Sequence, residues 1–129
     1  MNKIGGNSLS ALGTHLILEL HGCETSKLND VEFIRSVLIE AANQANATIV
    51  GEVFHEFSPI GVTGVVAIAE SHISIHTWPE HGYAAADIFS CSSKFRLREA
   101  EVYIVSALGA SEHSTQEIVR GQFAMATTV

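Results

Sequence analysis

Residues 69–83 bring together side chains that can do chemistry, and they read AESHISIHTWPEHGY. In a β-strand, successive side chains point to opposite faces. One face of this segment then carries two imidazoles, a hydroxyl and an indole, from His72, Ser74, His76 and Trp78. Ordinary half-buried strands also alternate polar and apolar residues, but this set is unusual for a merely solvated face. The pattern therefore favours a functional cleft on that face.

Three chemistries fit these side chains, and the residues alone leave all three open. Metal binding would use His72 and His76 with His55 from a neighbouring strand, although no zinc-site spacing is present. Hydrolysis would use Ser71 or Cys91 with a histidine base, without the Gly-x-Ser-x-Gly turn of many hydrolases. The third chemistry is cleavage of the chain's own backbone at a serine, followed by a decarboxylation.

Composition indicates one domain, residues 1–129, that associates with itself. A length of 129 residues suits a single domain with a buried core. Charged residues make up only 16% of the chain, which predicts that further surface is buried in at least a dimer. The net charge of −7 argues against nucleic acid as a partner, because phosphate binding needs clustered Lys and Arg.

Cysteine use and hydropathy favour the cytoplasm. Cys23 and Cys91 are too few for a disulfide framework, so both are expected to be free thiols. The segment from Met1 to Leu12 lacks the basic start and long apolar stretch of a signal peptide. No run approaches the roughly 18 apolar residues of a spanning helix, so no membrane partner is expected.

Two helices are predicted from apolar residues at helical spacing. The first begins with Asn29 and Glu32, which form a capping-box pattern, and runs to about Asn46. The second covers residues 97–108 and ends at Gly109 as its C-cap.

Alternating and β-branched runs predict strands at 15–20, 48–57, 62–69, 73–78, 83–91 and around 118–119. The order of elements predicts an α+β fold, a two-layer sandwich with a largely antiparallel sheet and two helices on one face. The other face then needs a cover, so the dimer is expected to form through or beside the sheet. Residues 1–12 and the tail from Ala124 are expected to be flexible.

Four motifs carry a resemblance to a known family: GVTGVV at 61–66, AESH at 69–72, IHTWPE at 75–80 and GYAA at 82–85. With them the chain resembles the prokaryotic S-adenosylmethionine decarboxylase proenzymes, which depend on a pyruvoyl group. The resemblance extends from about Gly13 to Cys91 and is looser after Cys91.

This resemblance implies that the chain cuts itself before Ser71. The Ser71 hydroxyl attacks the carbonyl of Glu70, the last residue before the cut, and the resulting ester is converted to a pyruvoyl group. Residues 1–70 become the β chain and residues 71–129 the α chain. The pyruvoyl group is then the covalent cofactor, with no pyridoxal phosphate and no metal, and it forms a Schiff base with the substrate amine.

The resemblance also implies roles for three other side chains. His76 corresponds to the base that removes the Cα proton during processing. Thr63, in place of the family's usual serine, assists that processing. Cys91 corresponds to the acid that returns a proton to the substrate carbon after decarboxylation.

The implied substrate is S-adenosylmethionine, decarboxylated for the synthesis of spermidine and other polyamines. Phe57 and Trp78 are candidates to contact its adenine or sulfonium, and Glu80 to accept hydrogen bonds from its ribose. The runner-up is a pyruvoyl-dependent arginine or ornithine decarboxylase of the same fold. A non-catalytic dimer that binds a small molecule or a metal is the alternative from another class.

The distance along the strand sets a condition on these roles. Five extended residues separate His76 from Ser71 and span about 16 Å, too far for direct proton transfer. The chain must therefore bend near Ser71, or a neighbouring strand must bring the two side chains together.

Overall fold

A six-stranded antiparallel sheet forms the centre of the structure, a computed structural model that describes residues 9–124. The sheet has the strand order β3-β4-β5-β6-β2-β7, and β1 pairs with β8 in a separate two-stranded sheet. The elements in chain order are β1 (Leu9–Ser10), β2 (Gly13–His21), α1 (Thr25–Leu28), α2 (Val31–Gln44), β3 (Ile49–Glu56), β4 (Val62–Ile68), β5 (Ser71–Trp78), β6 (Tyr83–Ser90), α3 (Leu97–Leu108), β7 (Glu112–Arg120) and β8 (Phe123–Ala124).

One face of the central sheet is apolar, because alternate residues of its inner strands are apolar. In β2 these residues are Leu16, Leu18 and Leu20, and in β5 they are Ile73 and Ile75, all fully buried. α2 packs over β3, β4 and β5 and also against α3. Both helices bury apolar side chains in the same core: Ile34, Val37, Leu38, Ala41, Ala100, Ile104 and Leu108. The predicted two-layer α+β sandwich is confirmed.

α2 begins one residue later than the predicted capping box. Its N-cap is Asp30, whose side chain accepts a hydrogen bond from the amide of Phe33 at 3.0 Å. Asn29 is engaged elsewhere, since its side-chain oxygen accepts from the amide of Gly61 at 2.9 Å. Asn29 therefore ties the loop after β3 to the start of the helical layer.

The helix predicted at 97–108 is present as α3. Ala100, Ile104 and Leu108, each four residues apart, are fully buried along one side of it. Gly109 ends the helix with a φ of 65°, a left-handed conformation that glycine adopts without strain. Burial at helical spacing outweighs the strand preference of the β-branched residues inside the segment.

All six predicted strands are present, and their bounds differ from the predicted ones by at most two residues, except in β7. β5 begins at Ser71 rather than at Ile73, so the turn after β4 is confined to Ala69 and Glu70. β7 has nine residues and is not limited to the region of Ile118, because it pairs with β2 along its whole length. Its side chains are all exposed, so it lacks the apolar alternation that marks the other strands.

The chain ends are described only in part. Leu9–Ser10 pairs with Phe123–Ala124, so part of the segment 1–12 and the first residue of the tail, both expected to be flexible, have paired backbone. Residues 1–8 and 125–129, predicted to be flexible, lie outside the described residues. Within residues 9–124, no helix is both long and apolar enough to cross a membrane.

The sheet face that points away from the helices is called the outer face below. In β5 the outer residues are the even-numbered ones, so the predicted alternation of His72, Ser74, His76 and Trp78 is present. Apolar side chains are exposed on this face as well: Val53 is 71%, Trp78 41% and Val65 37% exposed. The outer face therefore mixes polar groups with apolar surface.

Candidate active site

Ser71 lies where β5 begins, at one end of the sheet. Its hydroxyl oxygen is 3.8 Å from the sulfur of Cys91, and that sulfur is 3.2 Å from the carbonyl oxygen of Glu70. The backbone amide of Cys91 also donates to this carbonyl, at 2.9 Å. Three residues predicted from the sequence thus meet around the peptide bond between Glu70 and Ser71.

The backbone at Ser71 has an unusual conformation. Its φ is 153°, in a region that residues with a side chain rarely adopt. The carboxylate of Glu70 fixes the preceding turn, since it accepts a hydrogen bond from the amide of Thr48 at 3.1 Å. A strained linkage whose carbonyl accepts two hydrogen bonds is prepared for attack at its carbon.

His76 lies near the other end of β5, beside a pocket of about 400 Å³. Thr63 is its direct neighbour in β4, and the Thr63 Oγ1 is 3.0 Å from the Nδ1 of His76. The three predicted substrate residues line the same pocket: Phe57, Trp78 and Glu80. Thr63 and His76, predicted to act in processing at Ser71, therefore lie together with the three predicted substrate residues, at the other end of β5 from Ser71.

The residues around Ser71 and the residues around His76 lie apart within one chain. β5 pairs with β4 and β6 without a register shift, so the strand does not bend between Ser71 and His76. Five residues of strand correspond to about 16 Å. Neither a bend nor a neighbouring strand brings His76 to Ser71, so the distance condition is not met inside a single chain.

Asp87 is the centre of a polar cluster on the outer face. It lies between the residues around Ser71 and those around His76. Its Oδ2 is 2.6 Å from the Nε2 of His15 and 2.9 Å from the Nε2 of His72, and Ser74 donates to its Oδ1. Burial alone raises the pKa of Asp87, but these hydrogen bonds outweigh burial and hold the pKa below its usual value. Arg120 donates to the Nδ1 of His15 at 2.9 Å and so closes the cluster.

Reasoning from the sequence missed His15 and Asp87 as members of a polar cluster. Alternation in the segment 15–20 could have placed His15 on the same face as Ile17 and Glu19. It could not reveal the neighbour, because His15 meets Asp87 through the pairing of β2 with β6, strands far apart in the sequence.

The three histidines considered as metal ligands from the sequence lie in separate surroundings. His72 contacts Asp87, and His76 contacts Thr63. The ring of His55 packs against a phenylalanine ring 4.6 Å away. The metal set of His55, His72 and His76 is therefore not assembled.

Tyr83 supports the wall of the pocket from behind. Its ring centroid is 5.4 Å from that of Trp78, and its hydroxyl donates to Oε1 of Glu19 at 2.6 Å. Burial, together with the hydrogen bond and negative charge of Glu19, raises the pKa of Tyr83 to about 12. Glu19 therefore helps to hold Trp78, a pocket residue, in place through the ring of Tyr83.

We expect the phenol of Tyr83 to ionise at about pH 12. A difference absorbance titration between the parent protein and Tyr83→Phe isolates this phenol, and Glu19→Gln should move its pKa toward the usual value of about 10. Because the folded pKa is raised, the stability from this interaction is full below about pH 10 and is lost as the pH rises through about 12. A midpoint at the usual tyrosine value in the parent would contradict the assignment.

Comparison with known proteins identifies the family. Residues 14–121 match the sequence model of the family described as S-adenosylmethionine decarboxylase. The S-adenosylmethionine decarboxylase proenzyme of Acidithiobacillus ferrooxidans is 46% identical, over 91% of this chain and 88% of its own. The proenzyme of that name from Thermodesulfovibrio yellowstonii is 49% identical, over 86% of this chain and 82% of its own. The proenzyme of that name from Caldicellulosiruptor saccharolyticus is 48% identical, over 89% of this chain and 93% of its own.

The fold leads to the same family. The crystal structure of the adenosylmethionine decarboxylase from Aquifex aeolicus VF5 matches this chain with a TM-score of 0.84 at 38% identity. The match covers 92% of this chain and 98% of the other. The family match also continues past Cys91 through β7, where the resemblance of motifs is loose. This chain belongs to the S-adenosylmethionine decarboxylase family.

Proposed function

We propose that this chain is an S-adenosylmethionine decarboxylase that cuts itself between Glu70 and Ser71 and uses the resulting pyruvoyl group. The arrangement around Glu70 carries the proposal. Its carbonyl accepts two hydrogen bonds from Cys91, and the Ser71 hydroxyl lies beside the thiol. A nucleophile, a polarised carbonyl and a strained linkage are what self-cleavage of a backbone needs.

In the proposed processing, the Ser71 oxygen bonds to the carbonyl carbon of Glu70 and the peptide C–N bond breaks, leaving an ester and a free amine. Removal of the Cα proton of residue 71 then expels the Glu70 carboxylate and leaves a dehydroalanine. Water replaces ammonia in that residue and produces the keto group. The amide and thiol of Cys91 support the first step, because both already donate to the oxygen that becomes negative.

The pyruvoyl group would draw in the electrons of the departing carboxylate. The thiol of Cys91 suits the return of a proton afterwards. Its sulfur is 3.8 Å from the side-chain oxygen of Ser71. The thiol can therefore reach the substrate carbon that has lost its carboxylate, since the substrate is held at residue 71.

The proposed enzyme is a dimer, because the processing base and its target lie at different ends of one chain. When two copies pack their outer faces together about a two-fold axis perpendicular to β5, their β5 strands run in opposite directions. His76 of one copy then lies over Ser71 of the other. Exposed Val53, Val65 and Trp78 supply apolar surface for such a contact.

The pocket beside His76 is the proposed place for the nucleoside part of the substrate. The faces of Phe57 and Trp78 suit adenine and a positively charged sulfonium, and Glu80 can accept hydrogen bonds from the ribose hydroxyls. A volume of about 400 Å³ is typical of small-molecule sites. Family membership favours S-adenosylmethionine over arginine and ornithine, and an enzyme over a non-catalytic small-molecule- or metal-binding dimer.

The proposed product donates aminopropyl groups in the synthesis of spermidine and other polyamines. We place the activity in the cytoplasm, because Cys23 and Cys91 are both free thiols and a reducing compartment keeps them so. The proposed proton transfer needs Cys91 in that reduced form.

Two measurements test the function. The intact mass of the purified protein should show two fragments, residues 1–70 and 71–129, the second beginning with a pyruvoyl group. Carbon dioxide release, measured in parallel on S-adenosylmethionine, arginine and ornithine, should be fastest on S-adenosylmethionine. Ser71→Ala provides the background rate. A single uncut chain, or faster release from either amino acid, would count against the proposal.

A further inference from the structure

The cluster around Asp87 holds three ligand atoms at metal-binding distance from one another. The Nε2 of His15, the Nε2 of His72 and a carboxylate oxygen of Asp87 all lie within 4.8 Å of one another. They come from three adjacent strands, β2, β5 and β6, so their positions are fixed by the sheet. Two imidazole nitrogens and one carboxylate oxygen are a set that zinc and cobalt bind in proteins.

The carboxylate of Asp87 is already oriented for a single ligand bond. Ser74 donates to Oδ1, whereas both imidazoles approach Oδ2. Carboxylates that bind metal ions are commonly held in this way by a hydrogen bond to the other oxygen. The cluster therefore includes an orienting group as well as the ligand atoms.

The charge of Asp87 has no direct cationic partner among the residues that the structure describes. Its side chain is only 24% exposed, and its ionic contacts are the two imidazoles, which are charged only when protonated. The guanidinium of Arg120 lies on the far side of His15. A half-buried carboxylate without a positive partner is costly, and a bound cation removes that cost.

We propose that His15, His72 and Asp87 form a binding site for one divalent transition-metal ion, such as zinc or cobalt, on the outer face. The ion takes the place of the protons that now lie between the two Nε2 atoms and the carboxylate. The ring proton of His15 then moves to Nδ1, where Arg120 now donates. Arg120 is exposed in a single chain, and in the proposed dimer it lies on the face that the partner copy packs against. It must swing away from His15 when the ion binds, so it competes with the ion.

The proposed ion would also join the two products of cleavage. His15 precedes the cut, whereas His72 and Asp87 follow it. This consequence rests on the proposed self-cleavage, but the binding does not, because all three ligands belong to one uncut chain as well. Ser71→Ala and the cut parent should therefore bind the ion alike, which separates a failure of this inference from a failure of processing.

The test is a titration of the purified full chain with Co²⁺, whose visible absorption is stronger when the ion has four or five ligands, water included, than in the six-coordinate ion in water. We expect one ion per chain. His15→Gln, His72→Gln and Asp87→Asn should each weaken binding by more than the roughly 10- to 100-fold typical of second-shell losses. Zn²⁺ should displace Co²⁺, and Mg²⁺, which prefers oxygen ligands, should not.

Two further variants should shift the affinity in opposite directions. Arg120→Gln removes the competitor and can accept the Nδ1 proton of His15, so binding should tighten about tenfold, whereas Ser74→Ala should weaken it about tenfold. His113→Gln, an exposed histidine of β7 outside the cluster, is the matched control and should change nothing.

Circular dichroism of each variant checks that it folds. If a ligand variant does not fold, the opposite shifts of Arg120→Gln and Ser74→Ala still decide the question. Co²⁺ binding that is equally strong in the parent and in folded His72→Gln would overturn the inference. So would the absence of the intense absorption band in the parent.

Discussion

Ser71→Ala and His76→Ala should each remain uncut when made alone, and making the two together should restore cleavage of the His76→Ala chain. Ser71→Ala lacks the nucleophile, and His76→Ala lacks the base that completes elimination. In a mixed dimer, Ser71 of the His76→Ala chain lies beside His76 of the other. With random pairing in equal amounts, about half of the His76→Ala chains have such a partner and should be cut.

The measurement is intact mass after coexpression, with a tag that distinguishes the two chains. The control replaces Ser71→Ala by the double variant Ser71→Ala/His76→Ala, which offers no base and should restore nothing. Hydroxylamine should cut His76→Ala alone, because that chain stops at the ester. Rapid unaided cleavage of His76→Ala would show that this imidazole is not the base. Mixed dimers that stay uncut would show that the two copies do not share a site.

Cys91→Ala should still split into two fragments but lose about 10²- to 10⁴-fold of its decarboxylation rate, the usual contribution of a general acid. Cleavage survives because the backbone amide of residue 91 still donates to the Glu70 carbonyl, at 2.9 Å in the parent. Turnover falls because no other thiol is nearby: Cys23 is buried in the core. Intact mass and carbon dioxide release measure the two effects separately.

Cys23→Ala is the matched control for Cys91→Ala. Burial raises the pKa of the Cys23 thiol, which keeps it protonated and inert, so its removal should leave both cleavage and turnover near the parental values. Cys91→Ser should retain slightly more activity than Cys91→Ala, since a hydroxyl donates a proton but is a much weaker acid. A Cys91→Ala protein that turns over at the parental rate would return Cys91 to a packing role.

Parts of the site that depend on nearby strands were predictable from the sequence. Thr63 and His76 face each other because β4 and β5 are joined by a short turn, which fixes their register. Alternation along β5 then places His76 and Trp78 on one face. Local patterns are sufficient for such a hairpin, and they also determine α3 through its buried residues.

Parts that depend on distant strands were not predictable. His15 and Asp87 are 72 residues apart and meet only because β2 pairs with β6. β7 is exposed along its length, so burial leaves no periodic trace in its sequence. The separation of His76 from Ser71 likewise depends on β5 remaining straight between β4 and β6.

β2 belongs to the fragment before the proposed cut, yet it lies between β6 and β7, which belong to the fragment after it. β1 of the first fragment also pairs with β8 of the second. The fragments are thus interleaved, and neither can leave without dismantling the sheet. Two separate fragments would have to meet and thread this arrangement, whereas one continuous chain only has to close loops on itself. The topology therefore favours folding of the intact chain before the backbone is cleaved.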